Sequence, residues 1–407
     1  MAGTKPELLS PARDPEQLIM ALTYGADAVY LGGQKFGLRA SAGNFSSDGL
    51  PDAVKLCHGH GAKVYVTCNA VMTNDDIRGL PEFLEDISAA GADAVIVSDI
   101  GALSLAKKHA PAADIHISTQ AGVFNYESAR TLHDLGASRV ILARELPLFE
   151  IARIRENTPG ELELEAFVHG SMCVAISGRC LLSNYLTGRD ANRGDCAQPC
   201  RWKYSLVEQQ RPGQYFEISE DGGAYIMNSR DLCMIDHIKA MTDAGLTSLK
   251  IEGRMKSAYY AAVVTNAYRH AIDASAAGLP LKDIWREEVN KVSHREYSTG
   301  FYFDGAGPGQ YHGDSMYRSD CDVVAVVESC AEDGSAVLTQ RNKFSRGDAL
   351  ELLTPDREPV MFTAGDLSDA EGRGLDCAPH PMMKLQMKLP ISAPRYSLLR
   401  KARVFER

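Results

Sequence analysis

An α/β fold is predicted by the sequence: a (β/α)8 TIM-like barrel followed by a small C-terminal antiparallel β-barrel or sandwich. The first 270 residues alternate short β-branched runs with helical stretches, whereas residues 310–407 hold only short strands and turns. Eight βα repeats fit a closed parallel barrel better than an open doubly wound sheet, which is the alternative. A long connection at residues 171–247 interrupts the rhythm, so we expect a large insertion after the seventh strand.

The barrel strands follow from runs of apolar and β-branched residues that end in polar ones. The candidate strands are ELLSPA (7–12), DAVYLGG (27–33), KVYVTCN (63–69), DAVIVSD (93–99), DIHISTQ (114–120), SRVILAREL (138–146), ELELEAFVHG (161–170) and SLKIEGR (248–254). Helical stretches between them, such as DPEQLIMALTYG, carry apolar residues at spacings of three and four. Glycines 25, 91, 136 and 245 end such stretches, and we expect them to adopt left-handed helix caps.

The chain divides into two predicted domains. We expect the barrel to occupy residues 1–300, with the cysteine-bearing loop at 169–246, and the small domain to occupy 301–407. The small domain is predicted from six short strand-like segments: CDVVAVVESC, SAVLTQRN, DALELLTP, PVMFTAG, MMKLQMKLP and YSLLRKARV. An acidic loop, GDLSDAEGRGLD, lies between the predicted strands PVMFTAG and MMKLQMKLP.

Five of the ten cysteines lie within the long connection, and four of them are clustered, namely Cys173, Cys180, Cys196 and Cys200. Their spacing, C-x6-C followed by C-x3-C, is looser than that of most structural zinc sites. Iron–sulfur clusters are also held by four thiolates, and small neighbouring residues let backbone N–H groups approach the sulfurs. An iron–sulfur cluster, a zinc ion and uncoordinated buried cysteines therefore all remain open. We expect Cys233 to occupy a helical core position after Asp231, a plausible helix N-cap.

The cysteine-bearing loop is basic, although the whole chain has a net charge of −10. Its cations and aromatics are Arg179, Tyr185, Arg189, Arg193, Arg201, Trp202, Lys203 and Tyr204. Arginines interleaved with aromatics suit a splayed-out nucleotide, through phosphate contacts and base stacking. An ordinary solvated loop is the alternative. The negative total argues against wrapping nucleic acid over the whole surface.

Polar side chains end several predicted strands, and in a parallel barrel these converge on one mouth. Arg144, Lys250 and Arg254 are candidates for holding a carboxylate-bearing small molecule, because arginine grips carboxylates bidentately. The alternative is that Glu145 and Glu252 pair with them as structural ion pairs. His169, beside the cysteines, is a candidate for proton transfer, or it simply caps the strand.

No targeting or membrane segment is evident. The first residues lack the apolar core of a signal peptide, and no apolar run reaches the roughly 18 residues that a membrane helix needs. Ten cysteines in 407 residues are too few for a small disulfide scaffold. We therefore expect a cytoplasmic protein without membrane association, whose clustered thiols bind metal or perform redox chemistry.

Several segments resemble signatures of the collagenase-like peptidase family U32. These are ELEAFVHGSMCVAISGRCLLSNY, RGDCAQPCRWKY, MNSRDL and SLKIEGRMKSAYY, together with PELLSPA and GADAVYLG near the start. The resemblance covers essentially the whole chain. The family name implies a peptidase, yet the sequence contains neither the H-E-x-x-H motif of zinc peptidases nor the G-x-S-x-G motif of serine hydrolases.

The resemblance is greatest to the branch of prephenate-dependent tRNA uridine 5-hydroxylases. It implies a [4Fe-4S] cluster on Cys173, Cys180, Cys196 and Cys200, and oxygen-independent hydroxylation of wobble uridine to 5-hydroxyuridine. It also implies tRNA and prephenate, or a related carboxylate, as binding partners, and allows a protein partner from the same family. Many relatives lack a cysteine at the position of Cys233, so the identity of the fourth cluster ligand stays open. Two other functions remain: a U32 peptidase, and a non-catalytic iron–sulfur RNA-binding or maturation factor.

Overall fold

The computed structural model describes residues 5–38, 43–173, 175–202, 204, 206–207, 215–216, 228–303 and 318–403. Parts of the predicted cysteine-bearing loop, including Lys203, and residues 304–317 at the start of the predicted small domain lie outside the described residues.

The barrel is built from alternating strands and helices. Its first part comprises β1 (Glu7–Pro11), α1 (Pro15–Thr23), β2 (Ala28–Gly32), α2 (Leu50–Gly59), β3 (Lys63–Cys68), α3 (Asn74–Ala90), β4 (Ala94–Val97), α4 (Ile100–His109), β5 (Asp114–Ile117), α5 (Tyr126–Asp134), β6 (Arg139–Ile141), α6 (Leu148–Glu156) and β7 (Glu163–Ser171). The chain continues through α7 (Leu182–Thr187), β8 (Leu206–Val207), β9 (Tyr215–Phe216), β10 (Asp231–Cys233), α8 (Ile238–Asp243), β11 (Ser248–Ile251), α9 (Ala258–Ala276), α10 (Asp283–Glu288) and β12 (Tyr297–Ser298).

The parallel sheet closes on itself. Strands β1 to β7 pair in order, and β11 pairs in parallel with both β7 and β1. In the closing register, Ser248 lies beside Glu7 on one side and beside Glu165 on the other. The predicted eight-stranded barrel is therefore confirmed, and all eight predicted strands form it. Its core is continuous, because one cluster of buried apolar side chains runs from β1 to β11.

Glycine ends four of the barrel helices, as predicted. Gly25, Gly91, Gly136 and Gly245 have φ values of 97°, 77°, 110° and 90°, a region that L side chains rarely adopt. Each lies just before the turn into the next strand, and its backbone N–H donates to the carbonyl oxygen three residues earlier, which closes the last turn of the helix. These caps set the short connections at the amino-terminal end of the barrel.

The prediction of a helix around Cys233 is wrong. Residues 231–233 form strand β10, which pairs antiparallel with the end of β7, with Cys233 opposite His169. Strand β7 runs on to Ser171, and β10 satisfies the backbone groups of this extension. Asp231 is not a helix N-cap; its carboxylate accepts hydrogen bonds from Arg295, and both side chains are buried.

A second, antiparallel sheet forms the C-terminal part, as predicted. Its strands are β13 (Cys321–Cys330), β14 (Ser335–Gln340), β15 (Phe344–Ser345), β16 (Ala349–Leu353), β17 (Val360–Thr363), β18 (Leu367–Asp369), β19 (Gly374–Leu375), β20 (Cys377–Ala378), β21 (Lys384–Lys388) and β22 (Leu398–Ala402). The main sheet has the order β17-β16-β22-β13-β14-β21-β18-β19. The predicted acidic loop instead forms a hairpin of β18 and β19. Leu367 of β18 is buried and lies opposite Met387 of β21.

Buried charge joins the two parts. Arg400 on β22 is fully buried and donates to both carboxylate oxygens of Glu288 at 2.7 and 2.6 Å, and its Nε donates to Glu351 at 2.7 Å. Leu353 and Leu398 from the small sheet belong to the core cluster of the barrel. Among the described residues, no helix combines the length and apolarity that crossing a bilayer requires.

We predict that Arg400→Ala lowers the free energy of unfolding by about 3 kcal/mol, because it removes the bidentate partner of the buried Glu288 carboxylate and leaves it only Lys291. Urea unfolding followed by circular dichroism measures the change. Arg403→Ala is the matched control, since its ion pair with Asp322 is half exposed and contributes about 1 kcal/mol or less. Equal effects of the two substitutions would contradict a role for the buried pair in joining the domains.

Candidate functional site

A cavity of about 650 Å³ opens at the carboxyl-terminal ends of the barrel strands. Tyr30, Phe167 and Lys250 come from barrel strands and the residues from Ser171 to Arg201 form much of its wall. The wall lies close to the strand ends: a Cβ on Gly178 would lie 2.1 Å from the carbonyl oxygen of Gln120, so only glycine fits. The long connection after β7 is thus part of the barrel mouth.

The cysteine-bearing segment is fastened to the barrel by side chains that the sequence suggested for phosphate binding. Arg193 donates to the carbonyl oxygen of Val71 at 2.9 Å and forms an ion pair with Asp76 at 2.7 Å. The Arg193 guanidinium holds the pKa of that carboxyl well below its usual range. Arg189 pairs with Asp195 within the segment. Both arginines are therefore already paired with carboxylates. Arg193 holds the segment against the barrel, and Arg189 forms a contact within the segment.

All four clustered cysteines line the cavity, which is necessary if they are to bind the same metal group. Cys173 is exposed and the other three are half-buried. Burial raises the pKa of the Cys200 thiol, the neighbouring Arg201 lowers it, and the other three thiols raise it further. The backbone N–H of Gln198 donates to the sulfur of Cys196 at 3.4 Å, the kind of contact that stabilises a thiolate.

The donor set fits a thiolate-bound group, but the thiols are not drawn together around one ion. Within the described ranges, no three His, Cys, Asp or Glu side chains are placed to share a single metal. Cys233 is apart from the four: it is absent from the described cavity lining, and burial raises its pKa to about 11. Its sulfur instead accepts from the Tyr268 hydroxyl at 3.8 Å.

The predicted strand-end cations all reach the cavity, and each has its own anchor. Lys250 donates to the buried carboxylate of Glu165 at 2.9 Å and lies 4.4 Å from the ring centre of Tyr30. Arg254 donates to the carbonyl oxygen of Leu38 at 3.0 Å and to Thr67 at 3.3 Å. Lys250 is thus paired with Glu165, a carboxylate from inside the barrel.

Arg144 retains donor capacity. One of its terminal nitrogens donates to the carbonyl oxygen of Ser171 at 2.9 Å, and the guanidinium carbon lies 4.3 Å from the ring centre of Phe167. Its buried Nε has no hydrogen-bond partner in the described part of the chain. Glu145, one of the two carboxylates that were the alternative partners of these cations, accepts from the backbone N–H and hydroxyl of Ser177.

His169 is not brought to the cavity. It is almost fully buried, with ring nitrogens 3.3 Å from the hydroxyls of Tyr268 and Tyr297. Burial lowers its pKa to about 3, so the imidazole is neutral at physiological pH. It is not among the described residues that line the cavity. A role in proton transfer stays a prediction, and the structure buries the ring between Tyr268 of α9 and Tyr297 of β12.

Lys256 is a cavity residue that the sequence analysis missed. Its Nζ donates to the carbonyl oxygen of Ser293 at 2.8 Å, and burial lowers its pKa to about 8. The signal was available, because Lys256 follows Arg254 by two residues in the turn after β11. Arg201 also has contacts that only the folded chain shows, since its partners lie about 27 to 29 positions away in the sequence.

Comparisons with known proteins identify the family. The model of Peptidase family U32 matches residues 13–310, and that of its C-terminal domain matches residues 319–400. The chain is 38% identical to tRNA hydroxylation protein P1 of Bacillus subtilis, over 98% of this chain and 95% of that protein. It is 37% identical to tRNA hydroxylation protein P of Escherichia coli, over 92% of each chain.

A ribosomal RNA enzyme is also similar. The 23S rRNA 5-hydroxycytidine C2501 synthase of Escherichia coli is 40% identical over 88% of this chain and 54% of that protein. Together with the closed barrel and the cavity that holds the four cysteines, these matches establish that the chain belongs to peptidase family U32.

Proposed function

We propose that the protein hydroxylates tRNA, using a [4Fe-4S] cluster held by Cys173, Cys180, Cys196 and Cys200. The observation that carries this proposal is that all four thiols line one cavity at the barrel mouth, together with the strand-end cations. Relatives that match over almost the whole chain are named tRNA hydroxylation proteins. When bound, such a cluster supplies electron transfer or an iron atom that holds a substrate.

The cavity suits a small anionic hydroxyl donor. Among the described lining residues, the basic side chains are Arg144, Arg201, Lys250, Arg254 and Lys256, against the two carboxylates of Glu145 and Glu252. Positive charge in a partly enclosed cavity favours a carboxylate. We take prephenate or a related carboxylate as the donor. In this proposal, the guanidinium of Arg144, one of the described lining residues, binds this carboxylate.

The RNA base is expected to enter beside exposed aromatics of the cysteine-bearing segment. Tyr185 is 86% exposed and Trp202 is 43% exposed, and both belong to the cysteine-bearing segment. The arginines nearby, Arg189 and Arg193, are already ion-paired. We therefore propose that stacking on bases contributes more to docking than phosphate contacts from this segment do. The proposed target is the wobble uridine, and the product is 5-hydroxyuridine.

The peptidase alternative lacks a histidine beside its nucleophile among the described residues that line the cavity. A thiol nucleophile requires a histidine or comparable base within hydrogen-bonding reach. Of the described residues that line the cavity, none is a histidine. His169 of β7 is buried, with its nitrogens next to tyrosine hydroxyls. These contacts favour Cys173 as a ligand over Cys173 as a nucleophile. A non-catalytic iron–sulfur factor would have the same cysteine site without turnover.

We expect protein prepared without oxygen to contain about four iron and four sulfide atoms per chain, by the composition of such a cluster. Alanine at Cys173, Cys180, Cys196 or Cys200 removes most of the iron, because each supplies one thiolate. Cys233→Ala is the matched control and retains the iron, since Cys233 lies outside the described cavity lining. Iron and sulfide analysis with an absorbance spectrum decides this. Colourless protein with one zinc per chain would rule out the cluster.

Alanine at Tyr185 or Trp202 is expected to weaken tRNA binding by about 1–3 kcal/mol each, the usual contribution of one stacked base. Fluorescence anisotropy with labelled tRNA measures it, at two salt concentrations. Met361→Ala in the small domain is the control, because Met361 is as exposed as these side chains but lies on another part of the surface. Binding that Arg189→Ala weakens more than Tyr185→Ala would show that phosphate contacts dominate instead.

The proposed reaction predicts a change in tRNA. A strain that lacks the gene, and lacks any related gene with the same activity, should contain unmodified uridine in place of 5-hydroxyuridine derivatives. Mass spectrometry of tRNA nucleosides measures this, and the parental gene should restore the product, while Cys180→Ala should not. Unchanged 5-hydroxyuridine derivatives in the deletion strain would refute the hydroxylase proposal. Gelatin cleavage by purified protein, lost in Cys173→Ala, would support the peptidase.

A further inference from the structure

Arg201 differs from the other arginines of the cysteine-bearing segment because its contacts go to backbone and amide oxygens. One terminal nitrogen donates to the carbonyl oxygen of Met172 at 2.7 Å. The other donates to Asn228 Oδ1 and to the carbonyl oxygen of Ser229, both at 3.3 Å. The side chain therefore reaches two stretches of chain that are far apart in the sequence.

These contacts join the backbone next to the first cysteine of the group to the residue next to the last one. Met172 directly precedes Cys173, and Arg201 directly follows Cys200. A single guanidinium thus fixes the distance between the first and the last cysteine of the group. The planar fork of arginine presents several N–H donors in a fixed geometry, which suits a bridge between separate acceptors.

The acceptors are themselves held by a buried ion pair. Asn228 Oδ1 also accepts from Arg295 at 3.0 Å. The Arg295 Nε donates to Asp231 at 3.0 Å, and both of these side chains are almost fully buried. Asp231 lies on β10, which pairs with β7 and with β12. The position of Arg201 is therefore set by rigid strands outside the barrel.

We propose that Arg201 is a positioning residue that assembles the four-cysteine site and places a positive charge beside it. The inference rests on the proposed function only for the identity of the bound group. The bridge fixes Cys173 relative to Cys200, and the guanidinium offsets the negative charge of the thiolates. Because charge and hydrogen bonding near the sulfurs set the potential of iron–sulfur centres, Arg201 also influences the reduction potential.

The test compares Arg201→Gln, Arg201→Lys and Arg189→Gln in the full chain, each reconstituted with iron and sulfide without oxygen. We expect Arg201→Gln to hold less than half of the parental iron and to lose it to a chelator about tenfold faster, in line with the usual effect of second-layer residues. Arg201→Lys keeps the charge but not the bridge, so it loses iron at an intermediate rate. Arg189→Gln removes a charge near Cys196 but no contact between separate stretches of chain, because Arg189 pairs with Asp195 within the segment, so it retains the parental iron.

Two further measurements separate positioning from general stability. The unfolding midpoint of the metal-free variants should match that of the parent within about 2 °C, whereas the reduction potential of the cluster should fall in Arg201→Gln and change less in Arg201→Lys. Parental iron retention and potential in Arg201→Gln would overturn the proposal, as would equal iron loss in Arg189→Gln. If the parent binds zinc instead, the proposed cluster fails, and zinc retention by the same variants tests the bridge.

Discussion

The carboxylate of Glu165, buried on the axis of the barrel, is the group on which the site depends. It is fully buried and accepts hydrogen bonds from Arg139 at 2.9 Å, from Ser248 at 3.1 Å and from Lys250 at 2.9 Å. Burial favours the neutral acid, yet Lys250 and Arg139 hold the pKa of Glu165 below its usual range. An ionised carboxylate without these partners would cost several kcal/mol, so the group is stable only with all three in place.

This network lies where the barrel closes. Glu165 is on β7 and Ser248 and Lys250 are on β11, while Arg139 on β6 also donates to Glu7 on β1. The network therefore joins the strands on both sides of β11, the strand that closes the barrel. Since β7 also continues beyond the barrel to Ser171, the same strand that carries Glu165 leads directly to the first cysteine. The floor of the cavity and its cysteine wall are in this way positioned by one element.

What the sequence could predict was local, and what it could not predict depended on distant partners. The barrel strands and the glycine caps follow from periodicity and backbone preference within a few residues, and both were confirmed. Strand β10 was missed because its pairing with β7 depends on how far β7 extends past the barrel. The arginines of the cysteine-bearing segment were predicted as phosphate ligands, yet Arg193 pairs with Asp76, 117 positions away. Polar character alone does not distinguish a free cation from a partnered one.

The same distinction sets Arg144 apart from Lys250 and from Arg193. Lys250 has Glu165 as its partner, and the charge of Arg193 is balanced by Asp76. Among the described residues, Arg144 donates to a carbonyl oxygen and lies over a ring face, and its Nε has no hydrogen-bond partner there. A buried donor without an acceptor costs about 1–3 kcal/mol, which a ligand carboxylate would recover. The barrel therefore keeps its internal charges balanced and leaves a donor on the cavity wall, beside the segment that carries the thiols.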